Sequence, residues 1–212
     1  MKQPSLSLVF ATCLVLTACS DPSENVHKSE ATTPAAAAVA AVAAPAPASA
    51  SRAYVLTSGS TIGFIGSKVT GSHAGGFTNF TGSLMVEGGK IVGSPEFKID
   101  MNSTWADDGR LTGHLKNADF FDVANHPTTT FTVTAIAAGA TNSTVTGNLT
   151  LHGVTKSIAF PAVINVAADA VSVKAAFAIN RREFNINYAG RANDLIRDQV
   201  VIKLDLQAAP KG

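Results

Sequence analysis

Residues 144–153 read TVTGNLTLHG, and their rhythm is two. Val145, Gly147, Leu149 and Leu151 fall on one side of an extended chain, and Thr146, Asn148 and Thr150 on the other. Successive side chains of a strand point to opposite faces, so this strand has one apolar face and one wet face, the mark of an antiparallel sheet. The His-Gly-Val that follows is a turn signal, and KSIAF resumes the pattern.

The same alternation recurs along the chain. Phe80, Gly82, Leu84 and Val86 share a face in FTGSLMVEG, and Phe97, Ile99 and Met101 in EFKIDMNST. Phe131, Val133 and Ala135 do so in TFTVTAI, and Val171, Val173, Ala175, Phe177 and Ile179 in VSVKAAFAIN. VVIKLDLQA adds Val200, Ile202, Leu204 and Leu206, and STIGF adds Phe64. Turn signals (EGGK, AGATNS, HGV, AADA) separate these runs, which makes about eight strands in an up-and-down meander. No run is continuously apolar, which excludes a parallel α/β sheet. Glu87, Lys98, Asp100, Lys203 and Asp205 lie on the polar faces and would meet lipid in a membrane-spanning barrel, which argues against one.

One stretch breaks the rhythm. In ADDGRLTGHLKNADFFD, Asp107 and Asp108 suit a helix start, and Leu111, Leu115, Ala118 and Phe121 recur on one helical face. Pro127 bars further helix. The reading is a short helix across one end of a barrel, with its phenylalanines turned inward.

Composition narrows the function. The chain of 212 residues is 46% hydrophobic and 15% charged, with 16 Lys and Arg against 15 Asp and Glu. No basic stripe marks a nucleic-acid surface, so no nucleic acid is expected as a partner. Both cysteines, Cys13 and Cys19, fall in the first twenty residues, so the folded region holds no disulfide and no thiolate metal site. The histidines at 27, 73, 114, 126 and 152 show no helical zinc spacing. The sequence therefore names no metal site and no cofactor; a histidine site assembled by the fold stays open. No nucleophile elbow or phosphate loop is present, and no enzyme is expected.

The N-terminus reads as an address. Lys2 precedes an apolar run from Leu6 to Leu16 that is too short to span a bilayer and fits a signal peptide. The run ends in Leu16-Thr17-Ala18-Cys19, which resembles the bacterial lipobox. Residues 1–18 are expected to be a lipoprotein signal peptide and Cys19 the acylated anchor, with several acyl chains holding firmly where one would not. Ser20 rather than aspartate follows the cysteine, which favours the outer membrane, facing the periplasm. Residues 19–52, rich in Ala and Pro, are expected to be a tether with a reach of roughly 30 Å. Residues 53–209 are the folded domain.

Several motifs, in order, resemble the YceI-like family. GRLTGHLKNADFFDVANHPTTTFTV carries Arg110, His114, Leu115, Asp119, Phe120, Phe121, Asp122, Pro127 and Phe131 of one signature. Gly147, Leu149, Thr150, Gly153, Val154, Thr155 and Lys156 match a second, and Asn180, Arg181, Phe184 and Ile186 a third. Asn117 replaces a common serine, and Asn185 stands where glycine is usual, which leaves the shape of that turn open. The resemblance implies a lipocalin-like, eight-stranded antiparallel barrel with a short helix at one end. It implies binding of a polyisoprenoid, a prenyl quinone or a similar long amphiphile, and no catalytic residues.

On this reading the cavity lining is expected from the inward faces: Phe64, Phe80, Leu84, Phe97, Ile99, Phe121, Phe131, Val133, Gly147, Leu149, Ala175, Phe177, Ile202 and Leu204. The small residues Gly82, Ala135, Gly147 and Ala175 are expected to leave room for a channel. Arg181, Arg182 and His114 are the candidates for contact with a ligand head group. The expected partner is a long-chain isoprenoid or quinone-type lipid, bound for carriage or sequestration in the cell envelope, with a homodimer left open. The competing readings are a ligand-free interaction module and an enzyme built on the same barrel.

Overall fold

The computed structural model describes residues 21–34 and 51–212; the expected signal peptide and Cys19 lie outside the described residues. Fourteen strands and one helix follow in order: β1 (His27–Ser29), β2 (Arg52–Leu56), β3 (Thr61–Lys68), β4 (Gly71–Phe77), β5 (Phe80–Glu87), β6 (Lys90–Asp100), β7 (Thr104–Ala106), α1 (Gly109–Lys116), β8 (Thr128–Ala137), β9 (Ser143–Leu151), β10 (Val154–Val166), β11 (Val171–Asn180), β12 (Gly190–Arg191), β13 (Asp194–Leu195) and β14 (Gln199–Pro210).

These strands close into an eight-stranded antiparallel barrel. Its staves follow chain order, and three are interrupted: β2 and β3 make one stave, β4 and β5 the next, β6 and β7 the third. The long β14 closes the circle. One edge pairs with β11 from Val171↔Ala208 to Asn180↔Gln199, and the other with β2 and then β3. The break between β2 and β3 is stitched to β14, because Thr57 N and Ser60 Oγ both donate to Gln207 O, at 2.8 and 2.9 Å. Two hairpins turn through two residues in left-handed conformation, Gly88-Gly89 and His152-Gly153.

The interior is apolar for the length of the barrel. One core cluster runs from Met101 and Leu115 to Phe177 and Ile186, and a smaller one gathers Tyr54, Leu84, Val86, Val171 and Ala208 at one edge. The Tyr54 hydroxyl donates to Ala168 O at 2.8 Å, tying the smaller cluster to the β10–β11 turn.

The helix forms where expected but is shorter. Asp108 caps it, its carboxylate accepting from Leu111 N at 2.8 Å, and the helix ends at Lys116. Ala118 is therefore exposed rather than on an apolar helical face, and Phe120 is buried in its stead. A β-bulge at Val133/Ala135 breaks another expectation. One extra residue reverses the faces beyond it, so Ala135 is exposed and Ile136 turns inward. Asn185 adopts φ 58°, ψ 17°, the left-handed conformation that glycine takes most readily and asparagine next, so the turn needs no glycine.

Residues 21–34, which fall within the expected tether, are part of the barrel wall. β10 and β11 pair directly only from Val163↔Lys174 to Val166↔Val171. Beyond that they part, and the N-terminal segment fills the seam. β1 runs parallel to β11, with His27 opposite Phe177 and Ser29 opposite Ile179. On the other side Thr32 and Ser157 exchange two backbone hydrogen bonds of 2.9 Å, and Ser29 Oγ donates to Ala159 O at 2.7 Å. Upstream, Arg197 holds the Asp21 carboxylate at 3.2 Å.

Candidate functional site

The barrel encloses a cavity of about 220 Å³. Its wall is apolar except at Thr129 and Arg181. Three phenylalanines lie flat along that wall, and glycine permits it. A Cβ on Gly82 would collide with the Phe97 ring, one on Gly147 with the Phe131 ring, and one on Gly75 with the Phe64 ring. Gly82 and Gly75 sit directly across from their rings in the register. Gly82, Gly147 and Ala175 do not themselves border the lumen, contrary to the sequence reading. Gly75, Gly82 and Gly147 seat neighbouring rings against the sheet, and the flattened rings leave the lumen open.

Of the expected lining, Phe64, Leu84, Phe97, Ile99, Phe121, Phe131, Val133, Leu149, Phe177, Ile202 and Leu204 are in place. Gly147 is covered by Phe131, as described above. Ala175 faces inward opposite Leu204, and its methyl packs on the core short of the lumen. Phe80 opens β5 just after the break at residues 78–79 and joins neither core cluster. Sequence reasoning missed Phe120, Ile136, Phe160 and Thr129. Phe160 was legible in KSIAF; its ring stacks on Phe177 at 4.0 Å and 3°. Ile136 was hidden by the bulge, and Phe120 by the early end of the helix.

The helix end of the cavity is plugged by aromatic rings. Phe121 sits 6.2 Å from Phe64 and 6.1 Å from Phe77, in tilted and edge contacts. Close to this plug is Thr129, opposite Ile99 on the inward face and 4% exposed. Its hydroxyl has no hydrogen-bond partner among the described residues. A buried hydroxyl without a partner is costly, so it marks a place where a ligand atom would be welcome.

The three head-group candidates do other work. Arg181 is 3% exposed, and its guanidinium donates to the carbonyls of Arg197, Ile186 and Ile196 at 3.0, 2.6 and 3.1 Å. Burial pulls its pKa below the usual value, while Asp198 nearby favours its charge. With three donors on main-chain carbonyls and Nη2 also 3.5 Å from Asp198 Oδ1, Arg181 pins the barrel end to the segment before β14. Arg182 lies outside the lining, half-exposed, and donates to Asp198 at 2.6 Å. The His114 ring packs edge-on against Phe120 and Tyr188, 5.0 Å from each, with Nε2 3.0 Å from the Asp119 carboxylate. It too lies outside the lining.

The sequence matches the YceI-like domain over residues 54–208. A UPF0312 protein of Pseudomonas putida strain W619 is 36% identical over 94 residues, 43% of this chain and 48% of that protein. A UPF0312 protein of Pseudomonas aeruginosa strain PAO1 is 35% identical over 90 residues, 42% of this chain and 47% of that one. The chain thus spans about half the length of the curated relatives it matches. Among solved structures, Burkholderia cenocepacia BcnA superposes with a TM-score of 0.63 at 25% identity, covering 71% of this chain and 96% of BcnA. A polyisoprenoid binding domain from Saccharophagus degradans, implicated in plant cell wall breakdown, superposes with a TM-score of 0.60. It is 21% identical and covers 76% of this chain and 99% of that domain, a likeness of fold.

Proposed function

This chain belongs to the YceI-like domain family, and from that membership and its cavity we propose that it binds one long apolar lipid, a polyisoprenoid or prenyl-quinone-type amphiphile, in the bacterial cell envelope. The observation that carries the reading is the apolar lumen of about 220 Å³. It exceeds the engineered cavity of about 150 Å³ that stays dry and takes up benzene. At about 24 cal/mol per Å³, leaving such a volume empty costs about 5 kcal/mol relative to filling it. An isoprenoid tail would recover that loss and gain about 0.8 kcal/mol per buried CH₂, less the cost of its own ordering. The naming of the Saccharophagus domain as polyisoprenoid binding supports the same class of ligand.

Thr129 supplies one polar point in an otherwise apolar wall. A single hydroxyl suits a single carbonyl or hydroxyl oxygen better than a pyrophosphate, which needs cations. The one charged side chain in the lining, Arg181, is committed to main-chain carbonyls, which favours a carrier over an enzyme.

The proposal includes the anchor. Cys19 lies two residues before Asp21, which Arg197 holds at 3.2 Å. Two residues span about 7 Å, so an acylated Cys19 would seat the barrel against the bilayer rather than at the end of a long tether. Ser20 directs this anchor to the outer membrane, facing the periplasm.

Native mass spectrometry of the chain after mild detergent extraction tests the reading. One lipid of defined mass per chain is the expected result, with Thr129→Val shifting the preference toward lipids without a head-group oxygen. A wild type that extracts lipid-free and shows no rise in melting temperature with any prenyl lipid or quinone would refute it.

A further inference from the structure

We propose that Asp122, His126 and His152 form a site for a divalent transition metal, with Zn²⁺ the ion that suits two imidazoles and one carboxylate. The three residues come from two segments: the loop after α1 and the β9–β10 hairpin. One ring nitrogen of each histidine and one carboxylate oxygen of Asp122 all lie within 4.8 Å of one another. The two rings meet edge-on, with centroids 4.7 Å apart and planes at 66°, so both can turn a nitrogen toward one point.

The backbone is bent to bring them together. Asp122 and His152 have φ of 45° and 50°, in the left-handed region that residues with a Cβ seldom occupy. Such conformations persist where the surroundings over-determine them, and they cluster at binding sites. The Asp122 carbonyl accepts from His126 N at 2.7 Å, which folds His126 back over Asp122. Gly153 completes the approach, since a Cβ there would lie 2.7 Å from His126 Cε1.

The surrounding hydrogen bonds are those that metal ligands need. His152 Nδ1 lies 3.2 Å from Phe184 O. A carbonyl only accepts, so Nδ1 carries the proton and Nε2 keeps a bare lone pair. Metal-bound histidines are held in this way by their outer partners. Asn125 Nδ2 donates to Asp122 Oδ2 at 2.8 Å, which fixes the carboxylate and leaves its other oxygen free. Among the described residues no hydrogen bond holds the His126 ring nitrogens, so this ring can rotate inward. Bonds of about 2.0–2.1 Å put zinc ligands roughly 3.3 Å apart, so rotation must close the trio by about 1.5 Å. By contrast, His73–Asp107 and His114–Asp119 are simple pairs.

Three protein ligands leave one position of a tetrahedral ion open to water or an added ligand. The bound ion ties the loop after Phe120 and Phe121 to the β9–β10 hairpin, and so braces the plugged end of the cavity. This assignment stands apart from lipid binding.

The test is a Zn²⁺ titration of the chelator-stripped chain by calorimetry and thermal melting, with Co²⁺ as an optical probe. The expected result is one ion per chain, a melting temperature that rises with Zn²⁺, and a strong visible Co²⁺ band from imidazole ligation at low coordination number. Asp122→Asn keeps a residue that tolerates left-handed backbone, so it retains the fold by circular dichroism. It and His126→Asn should each weaken Zn²⁺ binding at least about 10–100-fold. His73→Ala should not. The absence of saturable binding, or binding unmoved by both Asp122→Asn and His126→Asn, or binding lost with His73→Ala, would overturn the assignment.

Discussion

Gly82→Ala isolates the device that opens the lumen. The atoms nearest the added Cβ are all side-chain atoms: the Phe97 ring, with Cε1 at 2.8 Å, and Leu56 Cδ1 at 3.0 Å. Backbone need not move, so the ring must leave the wall, and the space open to it is the cavity. Overpacking costs typically about 1–3 kcal/mol. Replacing glycine by alanine within a strand returns about 0.5–1 kcal/mol. The net loss is up to about 2.5 kcal/mol, or a fall of up to about 10 °C in a domain of this size. Ligand binding should suffer far more, because the displaced ring occupies the room the lipid tail needs. The assay is thermal melting with and without added prenyl quinone, alongside native mass spectrometry. Wild type should melt higher with lipid, since the ligand binds only the folded form. Gly82→Ala should melt a few degrees lower and lose the lipid-dependent rise. Adding Phe97→Leu, which removes the ring, should restore lipid retention. A Gly82→Ala variant that keeps wild-type lipid affinity would refute the argument that glycine-seated rings set the lumen.

Further expectations follow from other parts of the molecule. Cys19→Ser should leave the domain folded and free it from the membrane fraction; persistence in that fraction would end the anchor reading. Arg181→Met strands one buried and two part-buried carbonyls, and at about 1–3 kcal/mol for a buried unsatisfied group it should cost a few kcal/mol in chemical denaturation. A loss below 1 kcal/mol would show that the carbonyls find water. At Asp21, burial works to raise the pKa, but hydrogen bonds from Ser23 and the charge of Arg197 outweigh it and hold the carboxyl below its usual value. A depressed carboxylate stabilises the docked state fully above its free pKa of about 3.9 and loses that contribution as pH falls through the docked value. The hydrogen-exchange protection of Ser157 and Ala159, whose amides bond to the N-terminal segment, should therefore fall below about pH 4 in wild type, once the ordinary pH dependence of free amides is divided out. In Asp21→Asn it should already be low at neutral pH, and an unchanged profile would remove Asp21 from the docking contact.

The alternation in TVTGNLTLHG and its companions determined, by itself, the strands, their inward faces and the antiparallel sheet, because side-chain direction in a strand depends only on position along the chain. Asp108 likewise announced the helix, because capping is a local hydrogen bond. The remaining features needed the folded chain, since each depends on what lies across a strand boundary. Register decides that Phe97 covers Gly82 and Phe131 covers Gly147, so residues that read as channel space became seats for rings. The bulge at Val133/Ala135 exchanged Ala135 for Ile136 without any period to reveal it. His27–Ser29 is a polar tripeptide with no strand signal, and only the unpaired edges of β10 and β11 make it a strand. Arg181 read as a head-group contact until three carbonyls converged on it. His126 and His152 showed no helical zinc spacing, because a turn and a hairpin on the same barrel end bring them and Asp122 together only in three dimensions.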